Sequence, residues 1–103
     1  MLIRALLLIA VVGAAAAAPA KFTVSQKDKK FAPNKLTVQR GDSVVFVNDD
    51  PVVHNVFSQT PGFEFNLKRQ PVGSSGTVTF NRTGVAEVRC AIHPGMKLSI
   101  TVR

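Results

Sequence analysis

Four side chains able to bind a soft metal ion stand out once the first twenty residues are set aside. Cys90, His93 and Met96 fall within one seven-residue segment, and His54 lies further upstream. Beyond residue 20 the chain has no other cysteine, histidine or methionine. Thiolate, imidazole and thioether are the ligands that select copper and zinc ions over harder cations. The concentration of these side chains predicts a metal site.

The pattern of side chains before Cys90 indicates where its thiol points. Residues 85–90 alternate in the manner of a strand with one buried face, and the inward set is Ala86, Val88 and Cys90. A second alternating segment begins at Lys97. Cys90, His93 and Met96 are therefore expected on one tight loop between two neighbouring strands, with Pro94-Gly95 making the turn.

One thiolate and two imidazoles in a plane, with a thioether at longer distance, form the ligand set of type 1 copper. Sulfur favours Cu(I), imidazole binds either oxidation state, and a rigid β framework limits rearrangement between the two. A site that rearranges little has a low barrier to the transfer of single electrons. Cys90, His54 and His93 are the predicted strong ligands, and Met96 is the predicted weak axial ligand.

Two other chemistries explain the same residues less well. Structural zinc sites usually take three or four strong Cys, His or carboxylate ligands, and a thioether is a poor fourth. A nucleophilic pair of Cys90 and His93 would need an exposed thiol and an oxyanion site, and nothing in the sequence supplies them. We therefore do not expect an enzyme.

These motifs resemble those of the single-domain cupredoxins, the plastocyanin, azurin and amicyanin group of blue copper proteins. CAIHPGM at 90–96 is similar to the short C-x2-H-x2-M ligand loop of amicyanin, and VHNV at 53–56 is similar to the first-histidine motif. The resemblance covers 21–103. It implies a cupredoxin fold and one copper ion. It also implies that Asn55 ties the two ligand loops together and forms a hydrogen bond to the Cys90 sulfur.

The elements that must position the ligands are predicted to be β-strands, because no helical period of useful length follows the first twenty residues. Residues 81–84 are expected to form a hairpin loop, and 59–75 to be a loop with one short strand at most. The alternation and the turn residues predict strands at 22–26, 36–39, 43–48, 77–80, 85–90 and 97–102. The expected fold is all-β, an antiparallel Greek-key sandwich or barrel.

Residues 1–20 have the pattern of a cleaved signal peptide, with Arg4 before a long apolar run and small residues at Ala18-Pro19-Ala20. We expect cleavage after Ala20, leaving a cupredoxin domain at 21–103 with no membrane span. The protein is then exported, and the bacterial periplasm is the expected compartment. The single cysteine excludes an internal disulfide.

The charge balance indicates the kind of partner. Arg4 contributes one unit to the formal net charge of +7, so 21–103 carry +6. An acidic redox protein is the expected partner, docking on an apolar patch around His93 formed by Pro51, Pro94, Gly95 and Phe63. Nucleic acid is not expected, because no basic run is interleaved with aromatic residues. The sequence thus predicts a monomeric, exported one-electron carrier, and the alternative is a protein that carries or delivers copper without electron turnover.

Overall fold

The computed structural model describes residues 18–103, which form nine β-strands. The predicted signal peptide at 1–20 lies almost wholly outside the described residues. The strands are β1 (Lys21–Lys27), β2 (Lys30–Ala32), β3 (Lys35–Val38), β4 (Ser43–Asn48), β5 (His54–Ser58), β6 (Phe65–Gln70), β7 (Ser75–Thr79), β8 (Gly84–Cys90) and β9 (Lys97–Val102).

The strands form two sheets that pack face to face. One has the order β2-β1-β4-β7, and the other has the order β3-β9-β8-β5-β6. The predicted all-β sandwich is confirmed, but the sheets are mixed, because β1 is parallel to β4 and β3 is parallel to β9. Between β1 and β4 the chain crosses to the other sheet to form β3 before it returns, and such a crossover permits parallel pairing.

The expected hairpin loop at 81–84 is wrong. β7 pairs with β4 in the four-stranded sheet, whereas β8 lies between β9 and β5 in the other sheet. The segment therefore connects the two sheets. Its turn residues are compatible with either connection, because Asn, Thr and Gly favour a change of chain direction without fixing the next pairing partner.

The alternation seen in the sequence places one face of each central strand in the core. Ala86, Val88 and Cys90 are all buried, as the strand pattern predicted. The fully buried Phe46 ring lies at the centre of the sandwich, with its centroid 6.5 Å from that of Phe31 and 6.0 Å from that of Phe65. The core therefore fixes the ends of β5 and β8, where the candidate ligands lie.

Candidate metal centre

The donor atoms of three predicted ligands converge at one end of the sandwich. The Cys90 sulfur lies 3.7 Å from Nδ1 of His54 and 3.9 Å from Nδ1 of His93. The two histidine Nδ1 atoms are 3.1 Å apart. Among the described residues, these three side chains form a cluster that could hold a metal ion.

The dimensions and chemistry of this triangle fit a single ion. Donor atoms that share one ion, at bond lengths of about 2.0 Å to nitrogen and about 2.3 Å to sulfur, stand roughly 3–4 Å apart. The observed separations of 3.1–3.9 Å fall in this range. One thiolate with two imidazoles is also a donor set that suits both oxidation states of copper.

Two neighbouring strands and one loop bring the donors together. Cys90 is the last residue of β8 and His54 is the first residue of β5. The two strands are antiparallel, with Val56 opposite Cys90, so His54 lies beside the sulfur. The expectation of a tight loop between neighbouring strands is confirmed, since β8 also pairs antiparallel with β9.

Met96 ends the loop on the buried side of the site. Its backbone N–H donates to the carbonyl oxygen of His93 at 2.9 Å, which closes the turn. The Met96 side chain is buried, whereas His93 is partly exposed. The loop thus directs a thioether towards the core and brings one imidazole to the surface.

Asn55 contacts the sulfur through its backbone. Its N–H donates to Cys90 Sγ at 3.3 Å, while its side-chain Nδ2 donates to Asn66 at 3.2 Å. Asn55 Oδ1 is buried and has no hydrogen-bond partner in the described part of the chain. The expected hydrogen bond from Asn55 to the Cys90 sulfur is thus made by the backbone N–H, and the Asn55 side chain bonds Asn66 instead. Ala91 lines the same shallow cavity as Asn55, and an alanine side chain offers no hydrogen-bond donor.

A hydroxyl at position 91 is expected to supply the missing partner. We predict that Ala91→Thr raises the free energy of unfolding by about 1 kcal/mol, the usual net worth of one hydrogen bond. Ala91→Val is the matched control, because valine has the shape of threonine without the hydroxyl. Urea titration of both variants measures the difference, and equal stabilities would show that Asn55 Oδ1 gains no partner.

Asp50, which lies in the segment between β4 and β5, is part of the site. Its carboxylate oxygen Oδ2 lies 2.8 Å from Nε2 of His54 and accepts the backbone N–H of Lys29 at 2.9 Å. The Lys29 hydrogen bond is the main reason that the pKa of Asp50 is lowered, and His54 lowers it further. The sequence signal for this contact was an acidic residue four positions before the candidate ligand His54. Aspartate is so common in turns that this signal does not by itself indicate a contact with the ligand.

A layer of buried amides supports the loop that carries Asp50. Asn48 Nδ2 donates to the carbonyl oxygens of Val52 and Gln70, and Asn48 Oδ1 accepts the N–H of Asp50. Gln26 Nε2 donates to Gln70 Oε1 at 2.7 Å and so links the two sheets. These bonds hold residues 48–54 in place beneath the metal site.

The surface near His93 is apolar with one cation at its edge. Ile92 is 48% exposed, and it lines a shallow cavity with Val53, Ala91, Asn55 and Arg69. Three members of the expected patch, Pro51, Pro94 and Gly95, are exposed, whereas Ile92 and Val53 were not among those expected.

The expected place of Phe63 beside His93 is wrong. Its ring packs against Gly84, the first residue of β8, whereas Cys90 is the last residue of that strand. Phe63 therefore lies at the opposite end of the sandwich. The prediction of a loop with one short strand at 59–75 did not show that β5 (His54–Ser58) carries the chain away from the site before Phe63, and that β6 (Phe65–Gln70) then returns towards it.

A family model for copper-binding proteins of the plastocyanin/azurin family matches residues 18–103. The chain belongs to this family. Copper is therefore the metal that the family assigns to this protein, and the cluster of His54, Cys90 and His93, with Met96 nearby, is the candidate site for it. No sequence among the curated proteins matches this cupredoxin.

Solved structures place this cupredoxin among relatives of the same fold. A reduced amicyanin variant is 27% identical with a TM-score of 0.73, covering 87% of this chain and 88% of that chain. A purple cupredoxin from Nitrosopumilus maritimus is 24% identical with a TM-score of 0.71, covering 80% and 99%. This second likeness shows the fold alone.

A copper-containing nitrite reductase from Thermus scotoductus also resembles this cupredoxin. The two are 29% identical with a TM-score of 0.76 over 89% of this chain. The match covers only 24% of the reductase.

Among the described residues of the cupredoxin, no helix is long and apolar enough to cross a membrane.

Proposed function

We propose that this cupredoxin is an exported type 1 copper protein that carries single electrons between redox partners. The observation that carries the proposal is the convergence of the donor atoms of His54, Cys90 and His93 within 3.1–3.9 Å. These three side chains would be the strong ligands of the copper ion, and Met96 would be a weaker fourth ligand. When bound, copper supplies a centre that alternates between Cu(I) and Cu(II).

The protein keeps the ligands in place through both oxidation states. His54 and Cys90 lie within paired strands, and both are buried, so neither can move without disturbing the core. The N–H of Asn55 donates to the Cys90 sulfur and restrains the thiolate. Burial of Cys90 and Met96 excludes water from the sulfur ligands. His93, the partly exposed ligand, is the route by which electrons enter and leave.

We propose that the protein is not an enzyme. Three of the four ligands are buried, and the shallow apolar cavity beside Ile92 and Val53 offers no group suited to acid, base or nucleophilic work. The nitrite reductase is a much longer protein, because the match covers only 24% of its chain. A single cupredoxin domain corresponds to one part of that larger protein.

The alternative is a protein that carries or delivers copper without electron turnover. Such proteins need ligands that exchange readily, whereas here the donors are held by strands and by buried hydrogen bonds. Stopped-flow measurement of electron self-exchange, beside measurement of copper loss to a chelator of moderate affinity, separates the two. We expect fast electron exchange and copper retained for hours. Copper loss within minutes with slow electron exchange would establish the delivery function instead.

The signal-like segment at 1–20 supports export, and we propose that 21–103 work as a monomer in the bacterial periplasm. The net charge of +6 on 21–103 favours an acidic redox partner. The apolar surface around His93, with Arg69 at its edge, is the docking site that we propose. Apolar contact around His93, together with the positive charge of Arg69 beside it, would suit a redox partner that binds briefly.

Arg69 is expected to accelerate reaction with negatively charged reagents. Arg69→Gln should slow reduction by hexacyanoferrate(II) roughly two- to fivefold at low ionic strength, and added salt should remove the difference. Arg82→Gln is the matched control, because Arg82 lies beside Gly62 at the end of the sandwich away from the site. Equal rates for the two variants, or a rate indifferent to salt, would contradict steering at this edge.

A further inference from the structure

The buried carboxylate of Asp50 is a charged group that the ligand set itself does not require. Only 5% of Asp50 is exposed, and its Oδ2 lies 2.8 Å from Nε2 of His54. Nδ1 of the same ring faces the Cys90 sulfur and Nδ1 of His93. The His54 ring therefore separates a carboxylate on one side from the metal donors on the other.

Asp50 is held by contacts that do not depend on a metal. Its carboxylate accepts the N–H of Lys29, which lies in the β1–β2 turn at a φ of 57°. Its own N–H donates to Asn48 Oδ1 at 3.0 Å, and Asn48 is fully buried. These contacts come from β4 and from the β1–β2 hairpin, whereas His54 begins β5. The position of the Asp50 carboxylate is thus fixed by contacts other than its contact with the His54 imidazole.

The position of this carboxylate determines which nitrogen of His54 can bind a metal. A neutral imidazole carries one proton, and a carboxylate beside Nε2 favours the proton on Nε2. Nδ1 then carries no proton, so its lone pair is available to bind a metal ion. A partner on the far nitrogen also restrains the ring and raises the basicity of the ligand.

We propose that Asp50 is a positioning residue that orients His54 and sets the reduction potential of the bound copper through its negative charge. The inference rests on the proposed function, since it takes Nδ1 of His54 as a copper ligand. A negative charge one imidazole ring away from the donors stabilises the more positive oxidised site relative to the reduced site. Asp50 therefore lowers the potential.

The test compares Asp50→Asn with Asp49→Asn in the copper-loaded protein. Asparagine keeps the size of aspartate and removes the charge. Asp49 is the matched control, because it is the exposed neighbour and its carboxylate bonds the Ser25 hydroxyl instead of a ligand. We expect Asp50→Asn to shift the equilibrium for reduction about tenfold towards Cu(I), which is about 59 mV for one electron. Asp49→Asn should shift it less than twofold.

A second measurement covers the case in which Asp50→Asn does not fold. In the wild-type Cu(I) protein, nitrogen-15 NMR should show a His54 Nε2–H that exchanges with water at least tenfold more slowly than that of His93. Equal exchange rates would overturn the positioning role. Equal potentials for Asp50→Asn and Asp49→Asn would overturn the electrostatic role. A wild-type protein that binds copper without a thiolate-to-copper absorption band would instead refute the proposed function.

Discussion

Replacing Cys90 with serine is expected to abolish the blue copper centre. The intense visible absorption of a type 1 site is a transfer of charge from the thiolate sulfur to Cu(II), and a serine hydroxyl stays protonated and is a poor ligand for the ion. The variant should keep less than a hundredth of the wild-type visible absorption at one equivalent of Cu(II). Titration with Cu(II), followed by visible and EPR spectroscopy, measures this loss.

Ala86→Ser is the control for the polar atom that the substitution buries. Ala86 is fully buried on the same face of β8, so a serine there imposes a similar cost of burial and leaves every ligand in place. This variant should remain blue. A Cys90→Ser protein that retains the intense band would mean that the sulfur is not a ligand.

Removal of copper is expected to cause the largest change in stability. A ligand that binds only the folded state, at a free concentration a thousand times its dissociation constant, stabilises that state by about 4 kcal/mol. For a domain of this size the melting temperature should fall by roughly 15–30 °C when the metal is removed. Differential scanning calorimetry of the copper-bound and copper-free proteins measures the difference.

The Cys90→Ser protein provides the control for this measurement. Without the thiolate, the two histidines retain little affinity, so copper should raise its melting temperature by only a few degrees. Equal melting temperatures for the wild-type protein with and without copper would contradict a site that the fold organises in advance.

The strand that ends at Cys90 could be predicted from the sequence because one of its faces is buried. A period of two separates Ala86, Val88 and Cys90 from their exposed neighbours, and the strand β8 (Gly84–Cys90) follows that alternation. The turn at Pro94-Gly95 and the alternation after Lys97 then fixed the loop between β8 and β9. Local patterns suffice where the partner strand is the next one along the chain.

Contacts between distant segments could not be predicted in the same way. The strand at His54–Ser58 is short and follows the turn residues at 49–51, and the sequence gives no sign that it pairs with β8. The role of Asp50 depends on Lys29, which lies 21 positions earlier in a hairpin turn. The pattern of polar and apolar residues indicates which side of a strand is buried, and it does not indicate which residues that side contacts.

The central claim is that one thiolate and two imidazoles hold copper in a framework that changes little between oxidation states. Copper K-edge X-ray absorption of the loaded protein in the Cu(II) and Cu(I) forms tests it most directly. We expect one sulfur and two imidazole nitrogens at bond lengths of roughly 2.0–2.3 Å, with the same number of ligands after reduction. A spectrum without a short copper–sulfur distance, or the loss of a histidine on reduction, would contradict the claim.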